Sequence, residues 1–138
     1  MQRFPIPPYT ADTALAKVRA VENDWNTRDP DIVAHGYSLD CVWRNRKEVF
    51  HGREAIKFLV KRKWATASHC QPDQEVWAFT ANRISVRLKS EWQHVETGQW
   101  FRSHVNEHWE FDADGFITRR DSSANDIPIF APGRFVGL

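Results

Sequence analysis

The chain has 138 residues, a formal net charge of +1 and a hydrophobic content of 41%, with seven tryptophans and nine phenylalanines. This length and apolar content are sufficient for one domain, residues 1–138, with a hydrophobic core of its own. The near-zero charge argues against a general attraction to nucleic acid or to membrane surfaces. The spacing of Cys41 and Cys70 is not that of a metal site or a redox motif. The first residues lack the apolar core of a signal peptide, and no apolar run is long enough to approach the length of a membrane-spanning segment. We therefore predict a cytoplasmic protein with reduced cysteines.

The chain begins with a predicted extended arm and a helix. Residues 1–10 contain three prolines and form the arm. Thr10 is a favourable N-cap residue, and Asp12 suits the positive end of the helix dipole. Apolar residues then recur at the spacing of one helix face: Ala14, Val18, Val21 and Trp25.

Two further helices are predicted before the chain turns to strands. Asp29 followed by Pro30 is typical of a cap and a first helical position, and opens a shorter helix through Tyr37. The alternation over Asp40–Arg46 predicts a short strand. Gly52 then begins a third helix, with apolar positions at Ala55, Ile56, Leu59, Val60 and Trp64.

The second half of the chain predicts antiparallel strands. Gln74–Thr80, the hairpin Arg83–Asp112 and Phe116–Asn125 are separated by turn signals, and residues 126–138 form an irregular tail. Helices grouped before strands indicate an α+β fold. We expect a curved antiparallel sheet that wraps over the helices and leaves a cone whose mouth can hold a small organic molecule.

The hairpin is the most informative segment because its two faces differ chemically. With a loop at Val95–Gly98, the apolar face pairs Trp92 with Phe101, Leu88 with Val105 and Ile84 with Trp109. The polar face pairs Glu91 with Arg102, Lys89 with His104, Arg87 with Asn106 and Ser85 with His108. A slip of one residue would set charges against aromatic rings, so the pattern favours this register.

The polar face of the hairpin provides the candidate catalytic residues. The turn at Asp112–Gly115 is expected to place Asn106 opposite Asp121, which completes a row with Arg87. Inside a cone, Arg87 would orient a carbonyl or carboxylate while Glu91 or Asp121 moves a proton. The alternative is an outward face with ion pairs or a subunit contact, which is the common antiparallel pattern.

The remaining predicted ligand-binding residues are Asn106 and Asn45 as hydrogen-bond donors, Trp43, Tyr37 and Trp25 as pocket walls, and Arg102 and His108 beside the polar row. Trp25 and Trp43 are equally expected as core residues, whereas an asparagine inside an apolar run favours a pocket. His104 and His108 lack a third strong ligand, so we predict no metal.

Other polar groups have structural interpretations. The basic cluster Lys61–Trp64 suits the negative end of the third helix, and Asn125–Asp126 is assigned as a cap for the final turn. The sequence has no dinucleotide fingerprint, phosphate-binding loop, nucleophile elbow or paired-cysteine motif, so we predict no cofactor.

Five segments carry a resemblance to a known family: AxxKVRxxExxWNxRDP at Ala14–Pro30, WRNR at Trp43–Arg46, KRKWA at Lys61–Ala65, GQWFRSxxNExWEFDxDG at Gly98–Gly115, and SxNDxPI at Ser123–Ile129. The chain resembles the nuclear transport factor 2-like superfamily, with its SnoaL-like cone fold. Within it, the chain is similar to a small bacterial and fungal family described as a domain of unknown function.

The resemblance implies the cone fold and a homodimer formed through the sheet. The superfamily includes ketosteroid isomerase, scytalone dehydratase and SnoaL-like cyclases, and also non-catalytic binding modules. The leading hypothesis is therefore a cofactor-free isomerase, dehydratase or cyclase that uses acid/base chemistry. The alternative is a non-catalytic ligand-binding or dimeric interaction module.

Overall fold

The computed structural model describes residues 1–133, with the backbone alone for Gln71. Within this range the helices are α1 (Ala11–Asn26), α2 (Pro30–Ala34) and α3 (Gly52–Thr66). The strands are β1 (Tyr37–Asn45), β2 (Glu48–His51), β3 (Ala67–Thr80), β4 (Arg83–His94), β5 (Trp100–Phe111) and β6 (Ile117–Ile129). None of these helices combines the length and apolar character that crossing a membrane requires.

The strands form one curled sheet in the order β2-β1-β6-β5-β4-β3. β1 and β6 are parallel, and every other neighbouring pair is antiparallel. This architecture confirms the predicted α+β class and the cone-shaped sheet. Short turns connect the antiparallel strands, so the helices remain on one side of the sheet. There they cover its concave face.

The caps of the first two helices are confirmed. Thr10 Oγ1 accepts a hydrogen bond from the backbone N–H of Thr13 at 3.2 Å, and Asp29 Oδ1 accepts one from that of Asp31 at 2.9 Å. The predicted end of α2 is wrong, because the helix stops at Ala34 and Tyr37 already belongs to β1. Tyr37 pairs with Ile117 of β6 and is buried, so sheet pairing and burial determine its conformation.

Three strands are longer than predicted, since β1 also begins early, at Tyr37, and one strand was not predicted. β3 begins at Ala67, β6 continues to Ile129, and the short strand β2 precedes α3. The predicted irregular tail is therefore wrong for residues 126–129, since Trp100 of β5 supplies a partner as far as Ile129. Residues 134–138 of the predicted tail lie outside the described residues.

The hairpin register is confirmed for all seven predicted pairs. The next register is wrong by two residues: Asn106 pairs with Ser123, and Asp121 pairs with His108. Phe111 pairs with Ile117, which is already one residue from the predicted register, and an irregularity between Glu110 and Phe111 adds the second residue. Because side chains alternate with a period of two, the shift leaves every residue on its predicted face.

The hydrophobic core lies between the helices and the concave face of the sheet. Its largest fully buried side chains include Trp43, Trp109, Tyr37, Phe111 and Ile56. Toward the open end of the cone, the apolar packing gives way to a cavity.

Candidate functional site

A cavity of about 640 Å³ lies between α1, α3 and the concave face of the sheet. The helices contribute Trp25, Lys63 and Trp64, and β1 contributes Trp43 and Asn45. The inner faces of β3 to β6 contribute Gln74, Leu88, Ser90, Trp92, Ser103, Val105, Glu107, Arg120, Ser122 and Asp126. This volume is within the range of small-molecule sites.

Three predicted site residues line the cavity, namely Trp25, Trp43 and Asn45. Tyr37 is buried behind the wall, where its hydroxyl accepts a hydrogen bond from Arg120 at 2.7 Å. Tyr37 therefore supports a residue of the wall.

The other six predicted site residues lie on the outer face of the sheet: Arg87, Asn106, Arg102, His108, Glu91 and Asp121. Their immediate neighbours Leu88, Val105 and Glu107 line the cavity. Successive side chains of a strand point to opposite faces, so the polar row points away from the cone. The sequence left open whether the polar face of the hairpin points into the cone or outward, and in the structure it points outward.

The two predicted catalytic carboxylates are held by other groups on that face. Glu91 is buried and accepts hydrogen bonds from Arg102 at 3.2 and 3.3 Å and from the backbone N–H of Gly133 at 3.0 and 3.1 Å. Asp121 forms a short ion pair with Arg44, whose hydrogen bond lowers the pKa of Asp121. Neither carboxylate can reach a molecule in the cavity from there.

The floor of the cavity contains a buried ion pair between Glu107 of β5 and Arg120 of β6. Nε and one terminal nitrogen of Arg120 donate to Oε1 of Glu107 at 3.1 and 2.7 Å. Trp109 Nε1 donates to the same oxygen at 2.9 Å, and the Ser122 hydroxyl donates to Oε2. Trp43 Nε1 in turn donates to Ser122 Oγ at 2.9 Å, which connects the pair to β1.

These contacts determine the ionisation states of the side chains at the floor of the cavity. Burial alone would raise the pKa of Glu107, but the charge of Arg120 and the hydrogen bonds from Ser122, Arg120 and Trp109 outweigh it and lower the pKa. Burial raises the pKa of Tyr37 to about 12. Glu107 is thus a permanent carboxylate, Arg120 a permanent cation and Tyr37 a neutral phenol at physiological pH.

Aromatic rings enclose the Arg120 guanidinium. Its central carbon lies 4.0 Å from the ring centroid of Trp43, 5.0 Å from that of Trp109 and 5.9 Å from that of Trp25. Indole rings at these distances are a favourable environment for a guanidinium. The charge at the floor is therefore already neutralised by Glu107 and surrounded by aromatic rings.

Lys63 also lines the cavity and is not fixed in this way. Across residues 1–133, no oxygen accepts a hydrogen bond from its Nζ and no carboxylate forms an ion pair with it. Nζ lies 5.8 Å from the ring centroid of Trp25. The side chain keeps accessible surface because it faces the open cavity, yet desolvation by the surrounding protein lowers the pKa of its ammonium.

A second chain of polar contacts in the cavity wall connects β4, β5 and β6 with Arg46. Trp92 Nε1 donates to Ser103 Oγ at 2.8 Å, Ser103 Oγ donates to Asp126 at 2.5 Å, and Arg46 forms an ion pair with Asp126 at 2.8 Å. The assignment of Asp126 as the cap of a turn is wrong, because β6 continues through this position.

Two further polar groups border the cavity. Cys70 Sγ lies 3.1 Å from Ser90 Oγ. Gln74 Oε1 is buried and has no hydrogen-bond partner in the described part of the chain. A buried acceptor without a partner is uncommon, and this one is available to a donor on a ligand.

Sequence reasoning missed Glu107, Arg120 and Lys63, although two of them carried a signal. Glu107 lies between Val105 and Trp109 on the apolar face of the hairpin, where a carboxylate needs a buried partner. Lys63 lies seven residues after Ile56 and four after Leu59, which places it on the same face of α3 as these two apolar residues. Within residues 1–133, His, Cys, Asp and Glu side chains form no group that could hold a metal ion.

The sequence of residues 7–136 matches the model of a family described as a protein of unknown function, DUF1348. The chain belongs to this family. No match was found among curated proteins.

Solved structures show the nuclear transport factor 2-like fold. One neighbour is a nuclear transport factor 2-like protein of unknown function from Burkholderia pseudomallei, with a TM-score of 0.72 and 14% identity over 81% of this chain and 90% of that one. A protein with a ketosteroid isomerase-like fold from Catenulispora acidiphila, in complex with trimethylamine, has a TM-score of 0.67 and 13% identity over 78% and 83% of the two chains. The epoxide hydrolase/cyclase-like enzyme SalBIII, with a role in pyran ring formation in the polyether salinomycin, has a TM-score of 0.68 and 13% identity over 83% and 92%.

Breaking the floor pair should destabilise the protein strongly. Glu107→Gln leaves the Arg120 cation buried without its counter-charge, and Arg120→Met does the same to Glu107, so each should cost about 3–5 kcal/mol in the free energy of unfolding. The double substitution should cost clearly less than the sum, as measured by urea denaturation.

Glu48→Gln is the matched control, because it breaks the solvent-exposed pair with Arg62 and should have a far smaller effect. Additive losses in the double variant, or equal losses for Glu48→Gln and Glu107→Gln, would contradict the role of the floor pair.

Proposed function

We propose that the protein binds a small organic molecule in the cone cavity and transfers a proton on it by cofactor-free acid/base chemistry. The observation that carries this proposal is Lys63, a cavity amine that no carboxylate of residues 1–133 neutralises. Desolvation shifts its pKa downward, toward the range in which an amine both donates and accepts protons.

The proposal assigns proton transfer to Lys63 in place of Glu91 or Asp121. Both carboxylates lie on the outer face, and Asp121 is paired with Arg44. Glu107 is close enough to the cavity, but Arg120, Ser122 and Trp109 occupy both of its oxygens. A fully hydrogen-bonded carboxylate with a lowered pKa is a poor base, so Glu107 acts as a fixed part of the wall.

The class of reaction follows from the groups available. The ammonium of Lys63 can protonate an oxyanion that develops on a carbonyl compound, and the neutral amine can remove an acidic proton. Isomerisation, dehydration and cyclisation all use such steps. The cyclase-like name of the neighbour SalBIII supports this class, and the near-neutral charge supports a small ligand over nucleic acid.

Removing the amine should abolish proton transfer. We expect the wild-type protein to accelerate exchange of α-protons for deuterium in at least one of a panel of enolisable aryl ketones, followed by NMR in D₂O. Lys63→Met should lower this acceleration by about 10²–10⁴-fold, the usual contribution of a general acid or base. Lys63→Arg should also lose it, since a guanidinium does not exchange protons near neutrality.

Lys61→Met is the control, because Lys61 is on the same helix and is equally exposed but does not line the cavity. It should retain wild-type exchange. If ketones bind in the cavity and the wild-type protein does not accelerate exchange, the protein is the non-catalytic binding module instead.

We further propose that the protein is a cytoplasmic homodimer that associates through the outer face of the sheet. Trp77 on the edge strand β3 is 64% exposed, and the Arg87 guanidinium stacks on it at 4.8 Å. Tryptophan and arginine are both enriched at protein interfaces, so this exposed pair supports a contact there. The cysteines Cys41 and Cys70 are both free, which supports a reducing compartment.

Light scattering during size-exclusion chromatography checks the dimer. The wild-type mass should be twice that of the chain, and Trp77→Glu should shift it toward the monomer because a carboxylate opposes burial. Leu39→Glu, an exposed apolar residue on β1, should leave the mass unchanged. A wild-type monomer would refute the dimer, and a Trp77→Glu variant that stays dimeric would place the contact elsewhere.

A further inference from the structure

The cavity has more positive than negative side chains. The cationic ones are Arg28, Arg46, Arg62, Lys63 and Arg120, and the anionic ones are Glu22, Glu107 and Asp126. A count of formal charges is not enough, because several of these groups neutralise one another. Their pairing decides what charge a ligand meets.

Three of the five cations already have a carboxylate. Arg120 is paired with Glu107 at 2.7 Å, and Arg46 with Asp126 at 2.8 Å. Arg62 is paired at 2.6 Å with Glu48, which is outside the cavity lining. The remaining cations are Lys63 and Arg28, and Arg28 stacks over the ring of Trp64 at 4.8 Å.

Lys63 therefore presents to the cavity a positive charge with which no carboxylate of residues 1–133 forms an ion pair. Trp25 separates it from the floor, with its ring 5.8 Å from Nζ of Lys63 and 5.9 Å from the central carbon of Arg120. Both cations border the same ring, and the one at the floor is neutralised. An anionic group beside Trp25 would meet the ammonium of Lys63 and would find no competing carboxylate on it.

The apolar part of the cavity is largely aromatic. Four of the seven tryptophans line it, namely Trp25, Trp43, Trp64 and Trp92. The Trp25 ring meets Trp43 edge-to-face at 6.2 Å and Trp64 at 5.9 Å, with interplanar angles of 83° and 85°. Perpendicular rings form a corner whose flat walls suit a planar ring.

We propose that the cavity selects a planar aromatic anion, whose ring packs among the four tryptophans and whose anionic oxygen binds the ammonium of Lys63. This inference rests on the proposed function, because it names the ligand class of the same site. This ligand class differs in charge from the trimethylamine found in complex with the Catenulispora acidiphila neighbour. An ammonium ligand would be repelled by Lys63.

Three isosteric probes test the charge preference: 2-naphthoate, 2-naphthamide and 2-naphthamidine, which are anionic, neutral and cationic forms of one planar body. Isothermal titration calorimetry should give a dissociation constant for 2-naphthoate about tenfold or more below that of 2-naphthamide, since a charge-assisted hydrogen bond is replaced by a neutral one. The amidine should bind most weakly of the three.

Lys63→Met should remove the preference for the carboxylate and should leave 2-naphthamide binding within about threefold of wild type, since the stem packs in a similar way. That unchanged amide affinity shows that the cavity is intact. Lys61→Met should retain the full preference. Because the comparison of the three probes uses wild-type protein, it does not depend on the stability of any variant.

Four results would overturn the inference: no detectable binding of 2-naphthoate, equal affinity for the three probes, tighter binding of the amidine, or a carboxylate preference that survives in Lys63→Met. Failure of the proposed function is distinguishable. Selective binding of 2-naphthoate without α-proton exchange in any ketone refutes acid/base catalysis and keeps the anion preference. Exchange of neutral ketones without a carboxylate preference refutes the anion preference alone.

Discussion

The ion pair between Glu107 and Arg120 is the interaction on which the cavity depends. Two charges inside the cone must neutralise each other, and they do so at 2.7 Å with further donors from Trp109 and Ser122. These contacts join β5, β6 and, through Trp43, β1. Because every oxygen of the carboxylate is occupied, the pair fixes the floor of the cavity and is not free to transfer protons.

Lys63 differs from this ion pair because no carboxylate is paired with it in residues 1–133. Its amine faces the same space, borders the same Trp25 ring and has no counter-charge within hydrogen-bond distance in residues 1–133. An amine that faces an aromatic-lined cavity without a carboxylate partner is available to a ligand that supplies the missing interaction.

Much of the fold could be predicted from the sequence, because local patterns determine it. The alternation in β4 and β5 and the short loop fixed the hairpin register, and Thr10 and Asp29 marked the helix starts. The β5–β6 register could not be predicted, since an irregularity at Glu110 leaves no trace in the alternation.

The site was harder to predict than the fold because it depends on which sheet face is concave. Both faces of the hairpin carry polar groups, and the row at Arg87 is the more conspicuous one. Glu107 and Lys63 appear as single polar residues in otherwise apolar patterns. Only the curled sheet and the helices over it show that such exceptions converge on one cavity.

The most direct measurement of the central claim is an NMR titration of indole-¹⁵N-labelled protein with 2-naphthoate. The account predicts that the indole resonances of Trp25, Trp43, Trp64 and Trp92 shift with ligand, while that of Trp77 on the outer face does not. Shifts at Trp77 with unchanged cavity tryptophans would place the ligand site on the outer face and contradict the account.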